Sequence, residues 1–160
     1  MSHLAAIPYL DRPSDTNTSQ IAEKGALRIH KHGTFGMQVC RMVKNTSGAT
    51  IVSRRVVMYK DGSAEEVLYS AAAEPKVNIA GVSIVDIPNN SYGWVVCSGV
   101  TSVKTNASAV TLANPVSTIA TAGEVTDTAV TGIEHCQIGV ALSAVGAGGG
   151  FVNVGLSGLM

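Results

Sequence analysis

Few residues in this chain have the types and spacing from which a reactive or metal-binding site could be built. His135 and Cys136 are adjacent, but neighbouring residues of an extended strand point to opposite faces, so this thiol and imidazole could not pair directly. His30 and His32 would share one face of a strand, yet a zinc site requires further ligands close by. We therefore expect neither catalysis nor a bound metal from these side chains.

Two other patterns resemble functional motifs only in composition. The glycine-rich run Gly146–Gly150 is not followed by the Lys-Ser or Lys-Thr pair of a phosphate-binding loop, so we interpret it as a hairpin connection. Glu65 and Glu66 are interpreted as a solvated pair at the start of a helix, where the helix dipole favours negative charge. Together these patterns predict a protein that is not an enzyme and that has no cofactor.

The cysteines and the apolar segments limit the cellular setting. Cys40, Cys97 and Cys136 are far apart and form no CxxC pair, which is typical of free thiols in a reducing compartment. The N-terminal sequence lacks the pattern of a signal peptide, and no apolar run approaches the roughly 20 residues of a membrane span. We expect assembly in a reducing cytoplasm and no association with a membrane.

The composition indicates a surface that other subunits cover in part. Of the 160 residues, 46% are hydrophobic and 4% aromatic, while only 14% are charged. An average globular protein has roughly 25% charged residues. The shortage favours an oligomer or a larger assembly. The alternative is a monomer kept in solution by its many Thr, Ser and Asn residues.

Positive charge is concentrated in the first half of the chain. The segment from Lys24 to Lys60 contains eight bases and no acid, although the whole chain has 11 of each. Such asymmetry indicates an anionic partner, either nucleic acid or an acidic protein surface. Because no recognition helix is predicted and no aromatic residues alternate with the bases, we expect no direct nucleic-acid binding. The candidate contact residues are Arg28, Lys31, Arg41, Lys44, Arg54 and Arg55.

One segment, Ala80–Gly99, has the clearest structural pattern. Strand-forming residues lie on both sides of the turn cluster Pro88–Ser91, which predicts a β-hairpin. Tyr92 and Trp94 follow this turn directly, and we expect both to belong to the structural core. No nucleophile or metal-ligand cluster accompanies the hairpin, so it is interpreted as scaffold.

The remaining segments predict an all-β domain over residues 21–160, built as a compact small barrel or sandwich of short strands. Val- and Ile-rich residues predict a strand within Ala49–Tyr59, and apolar alternation predicts another over Phe151–Leu156. At most one short helix is expected, over Ala64–Ala73, with a loop and a short strand as the alternative. Short strands separated by turns favour this architecture.

Residues 1–20 are predicted to form an extended N-terminal arm. An apolar tip is followed by a polar stretch, Asp11–Gln20, and two prolines disfavour a continuous helix. We expect the tip to dock on a neighbouring subunit, and a frayed terminus is the alternative. The apolar candidates for this contact are Leu4, Ile7, Tyr9 and Leu10.

Three segments resemble the small capsid decoration (cement) proteins of tailed bacteriophages: Val39–Tyr59, Ala80–Gly99 and Ile138–Leu156. The resemblance implies a non-enzymatic virion protein on the outer surface of the capsid, which bridges neighbouring major capsid subunits and is often a homotrimer. The alternative is a receptor- or carbohydrate-binding tail or fibre component. That class would be expected to expose a cluster of aromatic residues, and this chain has one Trp and four Tyr.

Overall fold

Ten β-strands form one hydrogen-bonded network in this computed structural model, which describes residues 16, 18, 25–60, 63, 65–70, 78–119, 121–127 and 137–158. Within these residues, no helix has the length and hydropathy of a membrane span. The strands are β1 (Leu27–His32), β2 (Gly36–Asn45), β3 (Val56–Tyr59), β4 (Glu66–Tyr69), β5 (Ile79–Ser83), β6 (Tyr92–Lys104), β7 (Pro115–Thr118), β8 (Val125–Thr126), β9 (Gln137–Ala141) and β10 (Phe151–Leu156).

Five of the strands close into a small barrel in the order β2-β4-β3-β5-β6, because β6 also pairs with β2. The β2–β4 pair is parallel, and the other pairs of the ring are antiparallel. Each strand contributes one fully buried side chain to the interior, and Ile51 and Ile87, which form an isolated bridge, join them. The five side chains are Val43, Val57, Val67, Ala80 and Val95.

A second core lies on the outer face of this barrel. Since successive residues of a strand point to opposite faces, the neighbours of the interior residues, such as Met42, Val56 and Val96, point away from the barrel axis. They pack with Val152 and Val154 of β10 and with buried residues of β7, β8 and β9. Where the second core covers it, the barrel wall is therefore apolar and buried on both faces.

Strand β6 belongs to both parts of the molecule. Up to Ser98 it pairs with β2, and from Gly99 onward it pairs with β10. Gly99 has a φ of 101°, and a Cβ atom there would lie 2.5 Å from the Met37 carbonyl oxygen. Only glycine fits this change of partner, because both the left-handed backbone and the close approach exclude a side chain.

The structure confirms the all-β class and two of the predicted elements. β5 and β6 pair in antiparallel fashion, with Val82 opposite Val96, as the Ala80–Gly99 pattern predicts. β10 covers Phe151–Leu156 with alternating burial, in which its second, fourth and sixth residues are buried. The predicted arm lies outside the described residues, apart from residues 16 and 18.

One prediction was wrong and one is confirmed in part. The segment predicted as a helix contains strand β4 instead, which agrees with the short strand of the alternative interpretation, since Val67 fills the barrel interior and the β4 backbone pairs with β3 and β2. Glu66 accordingly begins a strand, whereas residues 64 and 71–73 are outside the described part. The strand expected within Ala49–Tyr59 is shortened to β3, because a tight turn at Ser53 and Arg54 interrupts it.

Candidate binding surface

The edge strand β1 forms a two-stranded ribbon with residues 36–41 of β2. Within the described part of the chain β1 pairs with no other strand, so one of its backbone edges is open. An open edge presents unpaired N–H and C=O groups, and natural proteins usually protect such edges. The ribbon is therefore a candidate contact surface.

One face of the ribbon exposes large apolar side chains. Leu27 is 53% exposed, Ile29 69% and Met37 60%. The strand register places them on the same face, since Leu27 lies opposite Arg41, Ile29 opposite Val39 and Lys31 opposite Met37. Contiguous exposed apolar side chains of this kind mark interaction sites in soluble proteins. This "ribbon face" consists of Leu27, Ile29, Lys31, Met37, Val39 and Arg41.

The charge on the ribbon face has one sign. Lys31 and Arg41 are basic, and the paired segments 27–32 and 36–41 contain no Asp or Glu. The Arg41 guanidinium lies 5.7 Å from the centre of the Tyr59 ring, which holds this charge beside the barrel. An apolar strip flanked by cations is complementary to an apolar surface with acidic residues around it.

The opposite face of β1 carries Arg28, His30 and His32. Burial, followed by the positive charges of His32 and Arg28, lowers the pKa of His30. The two imidazole rings meet edge to face with centroids 6.2 Å apart. Within the described residues, no group of three or more His, Cys, Asp or Glu side chains is placed to hold a metal ion.

A second basic cluster is built around Arg54, which has an unusual backbone conformation with a φ of 61°. Its N–H donates to the Ser83 carbonyl oxygen at 2.8 Å, and its own carbonyl accepts the Lys104 N–H at 2.9 Å. The Arg54 guanidinium lies 4.7 Å from the centre of the half-exposed Phe151 ring, and the Lys104 ammonium lies 5.5 Å from it. We call Arg54, Lys104 and Phe151 the "Arg54 cluster".

Other bases of the predicted set are engaged within the chain. Arg55 forms an ion pair with Glu124, with Nη1 and Oε1 2.6 Å apart and both side chains mostly buried. The Lys44 ammonium lies 5.8 Å from the centre of the Tyr92 ring. Tyr92 itself is partly buried against the second core, and Trp94 is only 2% exposed within that core.

The structure thus separates the predicted contact residues. Lys31 and Arg41 share the ribbon face, Arg28 occupies the reverse of the ribbon, and Arg54 belongs to a different cluster. Arg55 is used in an internal ion pair. The apolar candidates Leu4, Ile7, Tyr9 and Leu10 lie outside the described residues.

Two of the three cysteines are buried within the second core. Burial raises the pKa of Cys40 to about 12, with a further contribution from the nearby Cys97. Burial also raises the pKa of Cys97, whose Sγ lies 3.2 Å from the Val39 carbonyl oxygen. Both thiols are therefore protonated at neutral pH and are poor nucleophiles. His135 and Cys136 lie outside the described residues.

Several surface residues were missed by the sequence reasoning. Leu27 and Ile29 carried a signal, because apolar residues alternate with Arg28 and the histidines along β1. Phe151 was recognised only as a strand residue. Its position beside Arg54 depends on long-range strand pairing and on the turn that places Arg54, for which the sequence has no local signal.

Comparisons with known proteins agree with this architecture. The crystal structure of the head fiber gp8.5 N base in bacteriophage phi29 is similar, with a TM-score of 0.55 and 16% sequence identity over 76% of this chain and 95% of that chain. At this identity the likeness concerns the fold alone. No curated protein matched the chain. The family model described as phage cement protein matches residues 21–156, which is most of the sequence. The chain therefore belongs to the phage cement protein family.

Proposed function

We propose that this protein binds the outer surface of a phage capsid and cements neighbouring major capsid subunits, thereby stabilising the mature shell. Membership of the family supports a capsid-associated structural role in the virion. The finer steps, attachment to the major capsid protein and bridging between its subunits, are our proposal. Its main structural support is the ribbon face, where apolar and basic side chains are left exposed on an edge strand.

The occupant of the ribbon face is, in this proposal, an acidic region of the major capsid protein. Two ribbon faces in contact with each other would bring Lys31 and Arg41 of both copies together without an acid, which is unfavourable. The open edge of β1 could also accept an extended segment of the partner as a further strand. An interface of ordinary size buries roughly 1,600 Å² in total, and many copies over a shell would multiply its effect.

We further propose a homotrimer assembled in the host cytoplasm, with the N-terminal arm docked on a capsid or sister subunit. The low charged fraction, 14%, supports surfaces covered by other subunits. A trimer contact need not involve the ribbon face, because a threefold interface joins two different patches of each copy. Sedimentation of the purified protein would test the trimer, and a monomer at micromolar concentration would contradict it.

The alternative of receptor or carbohydrate binding receives less support from the surface. Among the described residues, Phe151 is the one exposed member of the Phe, Tyr and Trp residues. Its ring is already flanked by two cations rather than by other aromatic rings. Sugar-binding surfaces depend on exposed aromatic platforms, which this part of the chain does not provide.

Binding to purified shells tests the proposed function. Expanded shells of the cognate major capsid protein should bind the wild-type chain, whereas unexpanded precursor shells should not, since only the expanded lattice presents all contact patches together. Raising the salt to 1 M should weaken attachment, because the Debye length falls to about 3 Å. Equal binding to both shell forms would contradict our account of maturation, and no binding to either would overturn the proposed function.

A pair of matched variants locates the contact. Ile29→Asp places a negative charge in the centre of the ribbon face, and Leu112→Asp places one at an exposed apolar residue elsewhere, where Leu112 is 57% exposed. We expect at least tenfold weaker shell binding for Ile29→Asp, and wild-type binding for Leu112→Asp. Equal effects of the two variants would show that the ribbon face is not the contact.

A further inference from the structure

A cavity of about 300 Å³ lies between the tip of the β1–β2 ribbon and the turn that carries Arg54. Side chains with hydrogen-bond donors line much of it, and none of the lining residues is an acid. The residues that matter for its chemistry are His32, Arg54, Thr101 and Ser102. We propose that this cavity binds a carboxylate side chain from an acidic segment of the partner protein, which is the major capsid protein if the proposed function is correct.

Arg54 is the principal cation of this site. With the described residues it makes a cation–π contact to Phe151 but no ion pair, unlike its neighbour Arg55, which pairs with Glu124. Its left-handed backbone is fixed by hydrogen bonds to Ser83 and Lys104. A non-glycine residue pays a conformational cost for such a backbone, and costs of this kind are concentrated at functional sites. The turn thus orients a guanidinium whose charge is not neutralised by a described acid.

His32 adds a directed donor to the cavity. Its Nδ1 accepts the backbone N–H groups of Thr34 and Phe35, at 3.1 and 3.2 Å. An imidazole nitrogen that accepts carries no hydrogen, so in the neutral ring the hydrogen is on Nε2. The ring is also stacked on Phe35, with centroids 4.7 Å apart, which fixes its plane. Nε2–H is therefore the donor that His32 has left for a ligand.

The set of donors matches a carboxylate. A guanidinium binds the two oxygens of a carboxylate side by side, and an imidazole N–H and a hydroxyl can complete their coordination. Lys104 lies two residues beyond Ser102 on β6, so both side chains are on the same face of that strand, and its charge adds to the local positive field. Phe35 and Ile84, which also line the cavity, offer an apolar contact for the stem of the bound side chain.

Nucleic acid is a poorer match to the same site. Binding a phosphate backbone requires several cations in a line along the groove. Here Arg54 and Lys104 both flank the Phe151 ring. Arg55, which follows Arg54 in the sequence, is paired with Glu124. The chain also carries no net charge, with 11 bases and 11 acids, whereas proteins that bind a nucleic-acid backbone commonly carry an excess of bases.

A titration of the isolated protein tests the site without requiring shells. A blocked peptide rich in Glu is added to the isotope-labelled protein, and NMR follows the imidazole signals of His32 and the guanidinium signals of Arg54. We expect saturable shifts of both in the wild-type protein. The His32 shift should be lost in Arg54→Gln and kept in Lys60→Gln, which removes one exposed charge elsewhere. Unchanged signals at millimolar peptide, or equal loss in both variants, would overturn the inference.

Two further probes distinguish other anions. Inorganic phosphate and a single-stranded oligothymidine are titrated under the same conditions. Weaker effects of both than of the peptide support a carboxylate site. Tighter, strongly salt-dependent binding of the oligonucleotide would assign the cavity to nucleic acid and would overturn the proposal, as would a response to phosphate alone.

The shell assay separates this inference from the proposed function. Arg54→Gln should weaken binding to expanded shells about tenfold or more, as expected for the loss of a charged hydrogen-bonding group. Normal shell binding by this variant would overturn the inference and leave the proposed function intact. Failure of the wild-type chain to bind shells would overturn the proposed function, while the peptide titration would still decide whether the cavity binds carboxylates.

Discussion

The barrel and the ribbon share strand β2, yet its apolar side chains are buried in the barrel, whereas Met37 is exposed in the ribbon. Within the barrel wall, Met42 and Val43 point to opposite faces and both are fully buried. In the ribbon, Met37 on the same strand is 60% exposed, and Ile29 on the paired strand is 69% exposed. One strand is thus covered on both faces at one end and leaves apolar surface uncovered at the other.

This difference in burial separates the residues that stabilise the fold from the residues that are available to bind a partner. Met42 is buried in the second core, whereas nothing in the described part of the chain covers the face of Leu27 and Ile29. Burial of apolar area stabilises the folded chain, at roughly 25 cal/mol per Å². Area that remains exposed can contribute only when a partner covers it. Substitutions in the barrel should therefore change stability, and substitutions in the ribbon should change binding.

Trp94→Ala should have the largest effect on stability. The indole is almost fully buried in the second core, and truncation of a buried Trp leaves a large cavity. We expect a loss of about 3–5 kcal/mol in the free energy of unfolding, measured by denaturant titration. A variant with unaltered stability would show that this core does not determine the stability of the fold.

Gly81→Ala should cause the second-largest loss of stability. A Cβ atom at this position of β5 would lie 2.5 Å from the Val96 carbonyl oxygen, and the φ of 152° also disfavours a side chain. Overpacking and backbone strain together should cost about 2–4 kcal/mol. Gly146→Ala is the control, because a Cβ atom there meets nothing within 4 Å. Equal melting temperatures of the two variants would contradict the packing of the barrel wall.

The adjacent residues Arg54 and Arg55 allow a direct comparison of an exposed and a buried charge, with smaller expected effects on stability. Arg55→Gln removes the partner of the mostly buried Glu124 and should destabilise the protein by about 1–3 kcal/mol. Arg54→Gln removes an exposed charge and should change stability by less than about 0.5 kcal/mol. Thermal unfolding of both variants checks this order. A larger loss for Arg54→Gln would show that Arg54 is a structural residue.

Ile29→Ala should have the smallest effect on the free protein. Because the side chain is 69% exposed, its truncation should change the free energy of unfolding by less than about 0.5 kcal/mol. Chemical denaturation measures this directly. A loss above 2 kcal/mol would mean that Ile29 is buried in the isolated protein, for example within an oligomer, and would remove it from the free surface.

Local patterns predicted those parts of the fold that depend on neighbouring residues. The alternation of Phe151–Leu156 follows from a strand with one face in a core, and the turn before Tyr92 follows from its Asn and Pro residues. The helix predicted around Glu66 failed, because its intrinsic propensity was outweighed by pairing of β4 with β2 and β3. Barrel closure is a long-range property with no local signal.

The candidate sites were less predictable for the same reason. The basic segment was visible in the sequence, but its division into a ribbon face, an internal ion pair and the Arg54 cluster was not. Phe151 reaches Arg54 only because β10 pairs with the second half of β6, whose last residue, Lys104, donates to the Arg54 carbonyl. The distribution of charges along the sequence predicted the sign of the charge in this segment, and tertiary structure decided which of the basic side chains remain available.

A reconstruction by electron cryomicroscopy of expanded shells saturated with this protein tests the central claim most directly. We predict density for each copy on the outer surface, with the ribbon face against the major capsid protein at a junction between neighbouring subunits. Contact with a single capsid subunit would contradict cementing. A ribbon face turned towards solvent, or covered by another copy of this chain, would contradict the proposed contact itself.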